Sequence, residues 1–361
     1  MSEAPSDSPS DSPSDSPSDS PEREPTVATA ATASIAVIGG SGLYSLFSEA
    51  QQLSIPTPYG PTSSPITVGQ LGGRTVAFLT RHGADHSVAP HLINYRANIW
   101  ALKSLGVSAI ISSAAVGGVS PDYPPGTLVL TDQFIDRTWG RADTFFDGQS
   151  AAGTAGAAGA AGAAGEVGES TSAGVQHLAA ADPFCPELLG VARQALTDAG
   201  ETFAPSGTVV VIQGPRFSTR AESHWYRAGG AHTVNMTLVP EVTLAAELGI
   251  GTVNLSFVTD ADAGLSPEPG EVAAGADAGE VDAGTVDAGT VDAGEAVSAE
   301  LVFRRLAEAQ PRIIAAIEAI VRAIPQSYQP RELIPAAAVS AVLGQAVLDQ
   351  AVLGQAPIGN R

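Results

Sequence analysis

The chain has 361 residues and a formal net charge of −21, from 17 Lys and Arg against 38 Asp and Glu. So acidic a balance argues against a nucleic-acid partner, and no uninterrupted apolar run reaches the length of a membrane helix, so no membrane partner is expected. The single cysteine, Cys185, rules out an internal disulfide framework, and Met1 is not followed by a charged and apolar signal segment; both point to the cytoplasm.

In chain order, residues 1–31 form an acidic Pro/Ser/Asp tail, too polar to bury a core and expected to be disordered. Strand-like runs follow at 34–38 and 75–79, a helical pattern at 94–105, then strands at 109–113 and 127–131. Residues 149–173 are mostly Ala and Gly. Beyond them come a helix at 186–199, a strand at 208–212, a helix at 220–228, a strand at 233–235, a helix at 240–248 and a strand at 252–258. Val-Asp-Ala-Gly recurs with period five within 263–294, a helix is expected at 299–324, and a second period-five repeat fills 341–355. Five residues turn a helix by about 140° from one unit to the next, so neither repeat builds an apolar face. The two internal segments, at about 149–173 and 263–294, therefore read as loop insertions, and 331–361 as a low-complexity C-terminal tail. The remaining 32–330 predicts a single α/β domain, with a mixed, mostly parallel central sheet flanked by helices.

The chemistry gathers at strand ends. The apolar run Val253–Val258 delivers Asp260 and Asp262 at its C-terminal end, where open α/β sheets bind ligands. A carboxylate there is a candidate for proton chemistry or for hydrogen bonding a polar ligand; a bare D-x-D also reads as two turn caps. Gly39-Gly40-Ser41-Gly42-Leu43 leaves the first strand with backbone N–H groups and a hydroxyl suited to an anion, but has neither the P-loop lysine nor the G-x-G-x-x-G spacing. Arg81-His82-Gly83 adds a fork of donors and an imidazole at a second strand end. Ala114-Ala115-Val116-Gly117-Gly118 and Asn235-Met236-Thr237 lie at two more, and Glu241 opens the helix after the last. A phosphate with a polar heterocycle satisfies this set better than a metal, for which Asp260 and Asp262 lack further ligands at the needed spacing. No metal and no cofactor are expected.

These motifs, together with Pro90-His91, Ile93–Leu102, Asp132–Thr138, Gly214–Ser223, Pro240-Glu241 and Thr259-Asp260-Ala261-Asp262, occur in the order found in a known family. The chain closely resembles the methylthioadenosine phosphorylases, a branch of the trimeric purine nucleoside phosphorylase family, over about 34–148, 174–262 and 295–325.

The resemblance implies a purine nucleoside phosphorylase-like fold and phosphorolysis of 5′-methylthioadenosine to adenine and 5-methylthioribose-1-phosphate, with inorganic phosphate as co-substrate, in methionine and purine salvage. It implies that Ser41, Arg81, His82, Thr237 and the backbone of Ala114 and Ala115 hold phosphate. Met236 would lie under the ribose, Phe217 and Ser218 would line the base site, and Asp260 and Asp262 would face the purine, Asp260 as the acid at N7. His177 matches a loop that reaches the sugar of a neighbouring subunit, which implies a homo-oligomer, a trimer or a dimer of trimers. The related 6-oxopurine enzymes usually carry asparagine in place of Asp260. Action on 6-oxopurine nucleosides or methylthioinosine is the alternative reading. Ala261 stands where the family often has a larger residue, Ala299 falls where an aliphatic residue packs on the 5′ group, and the 263–294 insertion falls beside that same pocket.

Overall fold

A computed structural model describes residues 32–43, 45–47, 49–148, 174–264 and 298–353, so the N-terminal tail and nearly all of both expected insertions lie outside the described residues. The strands, in chain order, are β1 (Ile35–Gly39), β2 (Ala50–Leu53), β3 (Ile66–Leu71), β4 (Arg74–Thr80), β5 (Ala109–Gly118), β6 (Leu128–Thr131), β7 (Gln133–Arg137), β8 (Phe203–Ala204), β9 (Thr208–Ile212), β10 (Thr233–Asn235) and β11 (Gly251–Ala261). The helices are α1 (Tyr95–Ser104), α2 (Pro186–Asp198), α3 (Arg220–Ala228), α4 (Leu238–Glu247), α5 (Ala299–Ala323) and α6 (Ala336–Leu353).

All the strands join one sheet, ordered β2-β3-β4-β1-β5-β10-β9-β7, with β11 also paired to β5 and β6, and β6 to β8. The pairs β1/β4, β1/β5, β5/β11, β9/β10, β7/β9 and β6/β8 are parallel, while β2/β3, β3/β4, β5/β10 and β6/β11 are antiparallel. The sheet is mixed and mostly parallel, and helices flank it. Its central strands are covered on both faces: β1 is buried throughout, and β11 from Gly251 to Asp260, where Asn254 and Ser256 are buried as hydrogen-bonded polar residues between apolar ones. Helices α2 and α5 pack on each other and on β11, and α1 pairs with α4, which also reaches β11.

Two irregularities of the sheet create the site. β5 pairs with β1 only from Ala109 to Ser112, then with β10 at Gly117 and Gly118, so the edge at Ser113–Val116 is left open where β1 and β10 diverge. Backbone groups exposed inside the sheet in this way need other partners, and a ligand can supply them. On the other side, the β5/β11 register slips between Val258 and Asp260, so that Thr259 is an extra, bulged residue. A bulge re-aims the side chains that follow it.

The edge strands β2, β7 and β8, and β3 between β2 and β4, carry too little apolar pattern to be foreseen. The tail expected at 331–361 is corrected: helix α6 occupies its middle, Ile334 and Val342 are buried, and Trp100 Nε1 donates to the Val342 carbonyl at 3.2 Å. Arg331 also donates to the carbonyls of Asp182 and Phe184 at 2.7 and 3.0 Å. A sequence without an apolar face still forms a helix when its residues favour one and a docking surface holds it.

Candidate active site

The open edge of β5 is the floor of a cleft of about 410 Å³. Ser41, Arg81, His82, Ala114, Ala115, Phe217, Ser218, Met236, Thr237, Asp260 and Asp262 all line it. His177 does not; it is exposed.

One end of the cleft is rich in donors. Arg81, at the end of β4, is only 1% exposed, and Glu241 of α4 grips it with Nε–Oε2 at 2.6 Å and Nη2–Oε1 at 2.7 Å. Its Nη1 donates to the Ser113 carbonyl at 3.1 Å, at the open edge. Burial works against the guanidinium charge, but the paired Glu241 outweighs it, and the pKa lies above its ordinary value. The Gly-rich turn lies directly above: a Cβ on Gly40 would come 2.6 Å from the Ser113 carbonyl oxygen and 3.1 Å from Arg81 Nη1, so only glycine allows the approach.

His82 Nδ1 stands 2.9 Å from the Val88 carbonyl. A carbonyl only accepts, so Nδ1 carries the hydrogen and Nε2 has none in the neutral ring. Burial, reinforced by the Arg81 charge and opposed by the Val88 contact, pushes its pKa down to about 4. The imidazole is therefore neutral near pH 7. Thr237 lies at the start of α4, whose regular turns begin at Pro240 because Val239 is non-helical. Asn235 also lines the cleft; its Oδ1 accepts from Thr237 N at 3.4 Å, while its buried Nδ2 has no partner among the described residues.

The other end carries the carboxyls. Asp260 is 5% exposed and Asp262 2%. Burial, helped by the charge of Asp262 and opposed by the Thr259 hydroxyl and Arg305, pushes the Asp260 pKa up to about 6. Burial raises Asp262 as well, against a hydrogen bond from Ser223. Gly117 leaves room for both: a Cβ there would lie 3.1 Å from Asp262 Cβ and 3.2 Å from Asp260 Oδ1.

Phe217 and Ser218 are set by the start of α3. Thr219 and Glu222 form a capping box, and Arg216 grips the same Glu222 carboxylate at 2.7 Å through each of two nitrogens. The third wall is the first turn of α5, with Ala299, Val302 and Phe303, the last edge-on to His86 at 5.1 Å between ring centres. Arg305, one residue pair further along α5, donates to the Thr259 carbonyl. Nothing in the sequence marks Arg305, and Ser223 closes the Gly214–Ser223 motif with no role assigned to it, since both roles depend on helices docking from other parts of the chain. Thr259 adjoins the aspartates, yet alternation along a strand would turn it away from them.

A family model, the phosphorylase superfamily, matches residues 34–291. The chain belongs to the phosphorylase superfamily. Among curated relatives of this superfamily, the chain is 44% identical over 247 residues to a purine nucleoside phosphorylase of Streptomyces coelicolor, covering 68% of this chain and 81% of that one. It is 47% identical over 232 residues to an S-methyl-5′-thioadenosine phosphorylase of Mycolicibacterium smegmatis, covering 64% and 78%. Among solved structures of phosphorylases, a methylthioadenosine phosphorylase from Schistosoma mansoni in complex with adenine superposes with a TM-score of 0.66 at 28% identity, over 89% of this chain and 98% of that one. A methylthioadenosine phosphorylase from an antarctic soil metagenomic library gives 0.61 at 36% identity, over 87% and 99%.

Proposed function

We propose that this phosphorylase cleaves S-methyl-5′-thioadenosine with inorganic phosphate, releasing adenine and 5-methylthioribose-1-phosphate. The observation that carries the reading is a buried carboxyl with a pKa near 6 in the same cleft as a fully buried, charged arginine. Breaking the glycosidic bond leaves positive charge on the sugar and negative charge on the base. Phosphate held by Arg81, Ser41, Thr237 and the open β5 backbone at Ala114 and Ala115 stabilises the first and attacks the anomeric carbon. Protonated Asp260 relieves the second at purine N7. Neutral His82, with a lone pair on Nε2, suits a phosphate that still carries one proton. Met236 supports the ribose, and Phe217, Ser218 and Asp262 complete the base site.

Asp260 also bears on the choice of base. A carboxyl accepts from a 6-amino group, whereas an ionised one repels a 6-keto oxygen. The relative named as a purine nucleoside phosphorylase keeps action on 6-oxopurine nucleosides as the second reading.

Exposed Ile135, Trp139 and Trp225, with Arg137 stacked 4.8 Å over the Trp225 ring, lie at or near the β7 edge of the sheet and suit a homo-oligomeric contact, in keeping with a trimer or a dimer of trimers. Exposed His177 is free to reach the sugar in a neighbouring subunit. The lone buried Cys185 fits a reducing, cytoplasmic setting.

The test is a substrate panel of methylthioadenosine, adenosine, inosine and methylthioinosine, each with and without phosphate. Adenine release from methylthioadenosine that needs phosphate and persists with a chelator is the expected result. Turnover without phosphate, loss of turnover with the chelator, or preference for inosine would overturn the reading.

A further inference from the structure

The bulge at Thr259 does more than re-aim Asp260. It leaves the Thr259 hydroxyl 2.6 Å from Asp260 Oδ2 and 3.2 Å from the Val116 carbonyl oxygen of β5. A hydroxyl carries one hydrogen, and a carbonyl oxygen only accepts. Thr259 therefore cannot donate to both acceptors at once. When Asp260 is ionised, the hydrogen belongs to its carboxylate. With Asp260 protonated, the hydrogen can turn to Val116. If the proton is on Oδ2, the carboxyl itself donates back to Thr259.

Ser223 repeats the arrangement at the second carboxyl. Its Oγ meets both Asp262 Oδ2 and the Thr219 carbonyl, the latter at 3.2 Å. Both hydroxyls are on buried residues.

We propose that Thr259 is a positioning residue for the reaction, a hydroxyl pivot that turns from Val116 to Asp260 as the carboxyl ionises, with Ser223 serving Asp262 in the same way. The proposal rests on the assignment of Asp260 as the acid that protonates the leaving base. As its proton passes to the base nitrogen, the carboxyl becomes a carboxylate. The Thr259 O–H then turns from Val116 to Oδ2 by rotation about one bond, with no movement of heavy atoms. The stabilisation arises as charge develops, so it lowers the barrier rather than tightening substrate binding. Arg305 holds the Thr259 carbonyl from α5 and fixes the backbone that the pivot needs. Asp262 and Arg305 are the charged groups that act on Asp260, and Glu222 of α3 acts on Asp262; β5 contributes only Val116 and Gly117.

The experiment compares wild type with Thr259→Val, which keeps the shape and removes the hydroxyl, and Thr259→Ser, which restores it. Hydrogen bonding to the carboxylate favours ionisation, so its loss raises the Asp260 pKa. For Thr259→Val, kcat for methylthioadenosine should fall about tenfold to a hundredfold with KM nearly unchanged, and the alkaline limb of the pH profile should move to higher pH. Thr259→Ser should recover rate to within about threefold of wild type, with the wild-type limb. An unmoved limb in Thr259→Val, or no rescue by serine, overturns the pivot. Should Thr259→Val not fold, Thr259→Ala is read by the same criteria. Carboxyl ¹³C NMR titration of substrate-free protein separates the two claims. A raised Asp260 pKa in the variant supports the pivot even if methylthioadenosine proves not to be the substrate, and an unchanged one overturns it even if it is.

Discussion

In the proposed reaction, Asp260 joins a functional requirement to a cost in stability. Its folded pKa of about 6 exceeds the ordinary 3.8, so the native state binds this proton more tightly than the unfolded chain. The resulting stabilisation is complete below about pH 4 and is lost as pH rises through about 6; above that, the buried carboxylate costs up to about 3 kcal/mol. His82 runs the other way, with a folded pKa of about 4 against 6.5, so its contribution is full above 6.5 and is lost as pH falls toward 4. The two oppose each other in one pH window, and only a variant separates them. Asp260→Asn should unfold at higher urea concentration than wild type at pH 8 and show no such gain at pH 4. The same variant should cleave methylthioadenosine about a hundredfold or more slowly and use 6-oxo substrates relatively better, because an amide can donate to the keto oxygen. Asp262→Asn should cost less rate and leave the preference for adenine intact. Wild-type rate and preference in both variants would mean that the aspartates only cap the turn.

At the scale of elements, the end of β4 and the start of α4 are joined by the buried Arg81–Glu241 pair, whose side chains are 1% and 4% exposed. Such a pair is weak evidence for stability, but removing one partner strands the other charge. Glu241→Ala should lower unfolding free energy by about 3–5 kcal/mol and raise the KM for phosphate, since nothing then orients the guanidinium. Replacing both, with Arg81→Met and Glu241→Leu, should recover much of the stability by urea denaturation while abolishing phosphorolysis. A double variant no more stable than Glu241→Ala would show that the pair contributes to the fold itself.

For the whole molecule, the expected insertions and the C-terminal region make opposite predictions. Shortening 149–173 and 263–294 should change stability by no more than about 1 kcal/mol, because loop-closure entropy varies slowly with length. Removing everything after residue 330 takes away buried Ile334 and Val342, the bond from Trp100 and both Arg331 contacts, and should lower the thermal midpoint by several degrees. An unchanged midpoint after that truncation would show the C-terminal helix to be an ornament of the domain. Cooperative unfolding after shortening the insertions would show that they pack.

Periodicity alone located β1, β5, β9, β11, α2 and α5, because fully covered strands and long amphipathic helices write their burial into every residue. Motif order placed Ser41, Arg81, His82, Met236, Thr237, Phe217, Ser218, Asp260 and Asp262 among the site candidates, since ligand-binding groups at strand ends come from short local segments. Their meeting in one cleft required the sheet to part between β1 and β10, a property of pairing between strands far apart in sequence. The partners that tune them are likewise non-local: Glu241 for Arg81, Arg305 and Val116 for Thr259, Ser223 for Asp262. The bulge at Thr259 is decided only when β11 lies beside β5, because a slip in register belongs to two strands and is written in neither.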